Sequence, residues 1–365
     1  MKILILGPYL SENGLGTVCA NLSKAFYINA CDVSIVCKYR TGRELDYSGT
    51  LHTLNEIGDN LSLLDNFKFY LSVKKIIKDA DIDAVISIGP SFDIINCLIS
   101  KRALTITTVH NNYRKEYGTI YRFLMNFVLR SSDLVVPVSA ALTDMLNIDF
   151  NNKYANKIVS IPNPVDKKDP IKSVNSVKEQ DYFVCVGRLE NQKALWHVVG
   201  SARYITRKTK ILIFGEGSFR KQIEKLIDEF GVGHIVELRG YSSEVNEFID
   251  GAKGLILTSL YEGLPMVIIE SMMLGTPVIS VQCQTGPKEM IANNSGILLQ
   301  SPAIEWKDYI DSKYESKLDH ELSEVINSIE DSEIKAMSIE AKNMADRYTI
   351  NNVGKEWKNL IFRNI

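Results

Sequence analysis

The chain alternates between two kinds of segment, and that alternation limits its fold more than any other feature. Short β-branched runs at residues 3–6, 33–37, 84–88, 105–109, 134–138 and 158–161 are bounded by turn residues, the pattern of buried parallel strands. Stretches with helical spacing lie between them, over 17–29, 61–78, 92–100 and 120–130. The alternation stops at Asn163-Pro164. Residues 165–181 are rich in Lys, Asp and Ser with little apolar content, the composition of a linker. Strand-like runs then restart at 182–186, 211–214, 236–238, 254–257, 277–280 and 296–299, with helical stretches such as 219–230 and 267–274 among them. From Lys317 onward the pattern is helical and holds no strand. This predicts two α/β domains, 1–164 and 182–345, each a doubly wound sheet of about six strands. In such a pair ligands sit at the carboxyl ends of the strands, so the expected active site is the cleft across which the domains face each other.

Composition is that of an ordinary soluble globular chain and excludes other classes. The 365 residues carry 42 Lys+Arg against 44 Asp+Glu, with 45% apolar and 24% charged residues, which removes disordered, collagenous and membrane-embedded chains. A formal charge of −2 gives no reason to expect a nucleic-acid partner. Six scattered cysteines (Cys19, Cys31, Cys37, Cys97, Cys185, Cys283) include no C-x-x-C pair and read as buried thiols of a reducing compartment. The N-terminal apolar run is too short for a signal peptide, and nowhere do about 18 apolar residues run together. A cytoplasmic location is expected, with surface attachment to the membrane allowed.

The first strand leads into GPYLSENGLGTVCANL. A dinucleotide fingerprint would need a third glycine where Cys19 stands, a shorter loop, and an acidic residue where Lys38 ends the second strand. What remains is a glycine pair, Gly14 and Gly16, read as lying just before a helix whose free N–H groups favour an anion. In the second half, residues 182–186 run into Gly187-Arg188-Leu189-Glu190-Asn191-Gln192-Lys193. Arg188, just past a strand, and Lys193, read as opening a helix, are two cations suited to one diphosphate. The strand at 211–214 ends in Gly215-Glu216-Gly217, where glycines permit close backbone approach. The sharpest signal is Tyr261-Glu262-Gly263-Leu264-Pro265-Met266, followed by an apolar run that contains Glu270. Pro265 suits the first helical turn, and the N–H groups of Gly263, Leu264 and Met266 are expected to form an anion site. Glu262 and Glu270 are acceptors at two separated points, suited to hydroxyls of two sugar rings. A carboxylate in that apolar run requires a partner.

Glu262 and Glu270, with seven residues between them and Gly-Leu-Pro after the first, resemble the E-x7-E motif of retaining glycosyltransferases of family four, in particular the bacterial surface-polysaccharide type. The resemblance covers nearly the whole chain, through the glycine loop, GRLENQK, GEG, EGLP, GTPVIS and a C-terminal helix with Trp357. It implies the GT-B fold, with residues 346–365 crossing back to the first domain. It also implies roles by position. Gly16 resembles the loop glycine beside the donor phosphates, and His110 the histidine near the donor sugar. Arg188 and Lys193, with Gly187 before them, resemble the pair that neutralises the diphosphate. Glu262 resembles the carboxylate that contacts the transferred sugar, and Glu270 the one that holds the ribose. Gly215, Glu216, Gly217 and Tyr241 resemble the wall near the nucleoside. Residues 283–289 resemble a C-x-x-G-P-x-E variant. The chain departs from the pattern at Ala194, where many relatives have glycine after the lysine.

The implied activity is retaining, metal-independent transfer of a hexose or N-acetylhexosamine from a nucleotide sugar, UDP-linked by family frequency. The acceptor is a glycan or lipid-linked sugar of a bacterial surface polysaccharide such as lipopolysaccharide or capsule, and no cofactor is expected. A sugar-nucleotide epimerase of the same fold and a non-catalytic partner subunit are the alternatives. Residues 101–130 hold six basic side chains (Lys101, Arg102, Arg114, Lys115, Arg122, Arg130) beside Tyr113, Tyr117, Tyr121, Phe123 and Phe127. With Arg114, Lys115, Arg122 and Arg130 foremost, this stretch reads as a surface for anionic lipid headgroups or the acceptor.

Overall fold

A computed structural model describes residues 1–11, 14–40, 44–55, 63–99, 102–116, 118–166, 181–283, 285–292 and 294–365. The chain divides into two compact units, one of Met1–Asp166 with Arg347–Ile365 and one of Lys167–Asp346. Residues 167–180 of the expected linker, together with Lys101 and Tyr117 of the basic segment, lie outside the described residues.

The first unit is built on β1 (Lys2–Gly7), β2 (Asp32–Tyr39), β3 (Thr50–Asn55), β4 (Ala84–Ile88), β5 (Leu104–Val109) and β6 (Leu134–Pro137). They form one parallel sheet in the order β3-β2-β1-β4-β5-β6. The second unit repeats the design with β7 (Tyr182–Val186), β8 (Lys210–Phe214), β9 (Val236–Gly240), β10 (Leu255–Leu257), β11 (Val278–Val281) and β12 (Gly296–Leu299), ordered β12-β11-β10-β7-β8-β9. Each order is that of a doubly wound dinucleotide-type sheet, with its switch point between the unit's first and fourth strands. The sequence explains why these segments become strands. Ile3, Leu4, Ile5 and Leu6 are fully buried, as are Val85, Ile86, Phe183 and Val184. Each such side chain withdrawn from water contributes about 1.5–3 kcal/mol, far more than intrinsic strand preference.

One expected strand of the first unit is replaced by another. Residues 158–161 are not a strand. Val159 N–H donates to the Val135 carbonyl at 3.0 Å and Ile161 N–H to that of Pro137 at 3.2 Å, but only one bridge forms, Val135 to Ile158. The return bond to this segment would have to come from Pro137, which has no N–H. The sixth strand is instead β3, at the other edge of the sheet.

The C-terminal helix Ile350–Phe362 packs on the helix Gly14–Ile28. Trp357 meets Phe26 edge to face, centroids 6.0 Å apart, and Lys358 Nζ donates to the Asn29 carbonyl at 2.7 Å. A Cβ at Gly354 would stand 2.4 Å from the Ala25 carbonyl oxygen, so glycine sets how closely the helices approach. Val165 N–H donates to the Tyr348 carbonyl at 2.8 Å, and Ile350 N–H to that of Val165 at 3.1 Å. Among the described residues no helix is long and apolar enough to cross a membrane.

Candidate functional site

The switch point of the second sheet lies between β7 and β10, and the loops leaving those two strands carry Lys193 and Glu262. Lys193 Nζ donates to Glu262 Oε1 at 2.7 Å, with side chains only 17% and 9% exposed. Two loops 69 residues apart in sequence are thus joined by their charged side chains. A carboxylate this buried requires such a partner.

The lysine does not open a helix, contrary to the sequence reading. It ends a single 3-10 turn, Asn191–Lys193, and the next residue, Ala194, is left-handed with φ 47° and ψ 40°. The helix begins later, over Trp196–Ser201. A left-handed alanine is strained relative to glycine by about 1–2 kcal/mol. That gives the physical meaning of the departure at this position.

Arg188 lies in the same loop but is exposed, and among the described residues no hydrogen bond engages its guanidinium. Gly187, at φ 154°, passes beside the aliphatic part of Lys193. The loop is tied to its neighbours on three sides. Toward β8, Ser218 N–H and hydroxyl donate to the two oxygens of Glu190 at 3.0 and 2.6 Å. Those bonds hold the Glu190 carboxyl below its usual range, with the Arg188 charge adding to the effect. Leu189 N–H donates to the Glu216 carbonyl at 2.9 Å. A Cβ at Gly215 would lie 1.9 Å from the Gly187 carbonyl oxygen, so only glycine allows the two loops to touch. Glu216 is paired with Arg220 at 2.8 Å, Gly217 is half-buried, and Tyr241 is 63% exposed.

Toward β12, Asn191 Nδ2 donates to Glu305 Oε2 at 3.1 Å. Trp196 Nε1 donates to the Ile304 carbonyl, and Ile304 N–H donates to His197 Nε2 at 3.0 Å. That bond leaves the His197 proton on Nδ1, where it meets Asp319 Oδ1 at 2.7 Å. The side chains of His197 and Asp319 are fully buried. Toward β10, Leu260 N–H donates to the Gln192 carbonyl and Gln192 Nε2 to the Tyr261 carbonyl, both at 2.8 Å. The Thr258 hydroxyl lies 3.1 Å from the carbonyls of both Lys193 and Ala194.

Gly263, Leu264 and Pro265 are buried, and the helix after them runs Met266–Leu274 with Pro265 as its cap, one residue before the position the sequence suggested. Glu270 is half-buried, one turn into that helix. The loop after β11 closes over the Glu262 turn. The Thr285 hydroxyl donates to the Glu262 carbonyl. The Cys283 thiol, half-buried beside it, is pushed up to about 12 by burial and then by the Glu262 charge. A thiol so shifted is unreactive.

In the first unit Gly14 and Gly16 are the opening residues of the helix Gly14–Ile28 rather than a loop before it, and Gly16 is buried. His110 follows β5. The Thr108 hydroxyl donates to the Ser87 carbonyl at 2.6 Å, so it accepts from His110 Nε2, also at 2.6 Å. The other ring nitrogen, Nδ1, is buried, and no hydrogen bond engages it. Burial pushes this histidine from 6.5 down to about 4, against the opposing effect of the Asn163 side chain.

The basic segment is less free than its sequence implies. Arg114 and Asp149 form an ion pair, Arg114 Nε donating to Asp149 Oδ2 at 2.9 Å. Arg122 donates to the Asp149 carbonyl at 3.1 Å, and the fully buried Tyr113 donates its hydroxyl to Asp149 Oδ2 at 2.6 Å. Lys115 and Arg130 are exposed, as are Ile120 (59%) and Phe123 (77%).

Comparison with known proteins gives the same picture in both units. Residues 12–169 match the family described as Glycosyltransferase Family 4, and residues 166–330 match Glycosyl transferases group 1. A lipopolysaccharide 1,6-galactosyltransferase of Salmonella typhimurium is 25% identical over 80% of this chain and 83% of its own length. A Campylobacter jejuni α-1,4-N-acetyl-D-galactosaminyltransferase, whose name gives an undecaprenol-diphosphate-linked GalNAc acceptor, is 25% identical over 99% of this chain and 98% of its own. Among solved structures, Anabaena HepE in complex with UDP superposes with a TM-score of 0.77 at 17% identity, covering 100% of both chains.

Proposed function

Since the chain belongs to the GT-B glycosyltransferases, we propose that it moves a hexose or N-acetylhexosamine from a UDP-sugar to a glycan or lipid-linked sugar in bacterial surface polysaccharide synthesis. The observation that carries this reading is the Lys193–Glu262 pair at a sheet switch point, beside the exposed Arg188. The two cations would absorb the charge of the departing diphosphate, the work a metal ion does elsewhere, so no cofactor is invoked. Glu262 would accept from a hydroxyl of the transferred sugar, and Glu270 from the ribose. The nucleotide is taken as UDP because HepE was solved with UDP, and the acceptor class follows the two surface-glycan relatives.

The favoured chemistry retains configuration by front-face substitution. The bond from the anomeric carbon to the diphosphate oxygen breaks, the bond to the acceptor oxygen forms on the same face, and the acceptor's proton passes to a donor phosphate oxygen. His110, which follows β5, is assigned to the donor-sugar side of the site by the resemblance alone. Peripheral attachment to anionic lipid at the inner face of the cell membrane would use the exposed Lys115, Arg130, Ile120 and Phe123.

The test is a panel of UDP-glucose, UDP-galactose, their N-acetylhexosamine counterparts and GDP-mannose, followed by released nucleoside diphosphate and by thermal shift. One sugar nucleotide turned over with a product of unchanged anomeric configuration supports the reading. Neither turnover nor thermal shift with any of them removes it. Release of a free epimerised sugar without an acceptor would assign the epimerase instead.

A further inference from the structure

Two side chains outside the reacting set hold the backbone on either side of Glu262. Gln192 Nε2 donates to the Tyr261 carbonyl at 2.8 Å, and the Thr285 hydroxyl donates to the Glu262 carbonyl. The first carbonyl belongs to the peptide plane before the Glu262 Cα, the second to the plane after it. Fixing both planes fixes φ and ψ at Glu262, and with them the direction in which its side chain leaves the backbone. The donors come from different loops. Gln192 stands next to Lys193 in the loop after β7, and Thr285 lies in the loop after β11. Gln192 is also gripped through its own backbone, its carbonyl accepting from Leu260 N–H at 2.8 Å. Lys193 and Glu262 are therefore placed by their sequence neighbours as well as by their mutual ion pair.

We infer that Gln192 and Thr285 are positioning residues for the transfer reaction, acting through Glu262 on the sugar it receives. The inference rests on the donor-binding role proposed above for Glu262. A tether of this kind matters because a carboxylate that has to find its orientation after the donor arrives loses the benefit of preorganisation. Neither residue touches the nucleotide in this scheme, so their loss falls on turnover and not on nucleotide binding.

The experiment compares Gln192→Met, Thr285→Val and Thr285→Ser with the parental chain, using the best-turned-over sugar nucleotide of the panel. Loss of one neutral hydrogen bond at each site is expected to lower kcat about five- to tenfold, with KM for the donor and the UDP-induced thermal shift unchanged. Thr285→Ser keeps the hydroxyl and is expected within about twofold of the parent. In a Glu262→Gln background, Thr285→Val is expected to add less than about twofold, because its route of action is gone. Equal losses in both backgrounds, a Thr285→Ser variant as impaired as Thr285→Val, or undiminished kcat would overturn the inference. A fully active Glu262→Gln would instead remove the donor-binding role itself, and the two failures are thereby told apart.

Discussion

Lys193 Nζ and Glu262 Oε1 are 2.7 Å apart, and both side chains are largely buried. A cation meant for a diphosphate and a carboxylate meant for a sugar hydroxyl hold each other in place. This satisfies two charges that burial would otherwise penalise, and it makes the two residues unequal under mutation.

Lys193→Met leaves a buried carboxylate without its partner and is expected to destabilise the second unit by about 3–5 kcal/mol. Glu262→Gln keeps an acceptor for the lysine and is expected to cost much less. Both are expected to lower turnover by about a hundredfold or more, the usual result of removing one preorganised charge at a reacting centre. Urea denaturation beside steady-state rates separates the two effects. Equal stability of the two variants would show that the pair is not buried as described.

Ala194, fully buried in the left-handed region, gives a second test. Ala194→Gly relieves about 1–2 kcal/mol of backbone strain but removes a buried methyl worth about 0.8 kcal/mol and loosens the unfolded chain by about 0.4–1 kcal/mol. The sum is near zero, so the glycine variant is expected within about 1 kcal/mol of the parent. Ala194→Val, β-branched where φ is positive, is expected to lose more than about 2 kcal/mol. A valine variant as stable as the parent in urea would contradict the backbone conformation.

His110 predicts a pH dependence. Its folded value of about 4 lies below the ordinary 6.5 because burial disfavours the charged ring. Between these values the unfolded chain binds a proton that the folded chain does not, so the stability it contributes is complete above pH 6.5 and is lost as pH falls toward 4. His110→Asn is expected to flatten that part of the curve. Urea midpoints measured across this range for both proteins check it, and an identical slope would count against the buried, neutral ring.

Trp357 is 3% exposed and packed on Phe26. Trp357→Ala is expected to cost about 3–5 kcal/mol, and Gly354→Ala about 1–3 kcal/mol by forcing the two helices apart. Both losses should appear in the transition of the first unit, monitored by hydrogen exchange in β1. Protection there unchanged in both variants would mean that the C-terminal helix does not support that sheet.

The sheets were legible because burial on both faces leaves a plain mark in sequence. Runs such as Ile3-Leu4-Ile5-Leu6, bounded by turn residues, have the pattern of strands covered on both faces. Thr50–Asn55 was missed because an edge strand with Thr, His and Asn among its six residues carries no such run. Residues 158–161 misled for the opposite reason, since a β-branched run says nothing about the donor its neighbour lacks at Pro137. At the site, charged residues at strand ends could be picked out by type and spacing. The pairing of Lys193 with Glu262 could not, nor could the bonds from Gln192 and Thr285 to adjacent carbonyls. Side chain to backbone contacts across long sequence separations have no compositional signature. Ala194 did carry a signal, a missing glycine, but its meaning depended on a dihedral angle.

The return of the chain after Asp346 has a consequence for how this protein is put together. Val165 and Thr349 are bridged through their backbones, so the points where the chain leaves the first unit and re-enters it are neighbours. Topologically the whole second unit is a guest inserted at one spot on a host. A short splice from Asp166 to Arg347 should yield the host alone as a free-standing sheet with its C-terminal helix in place.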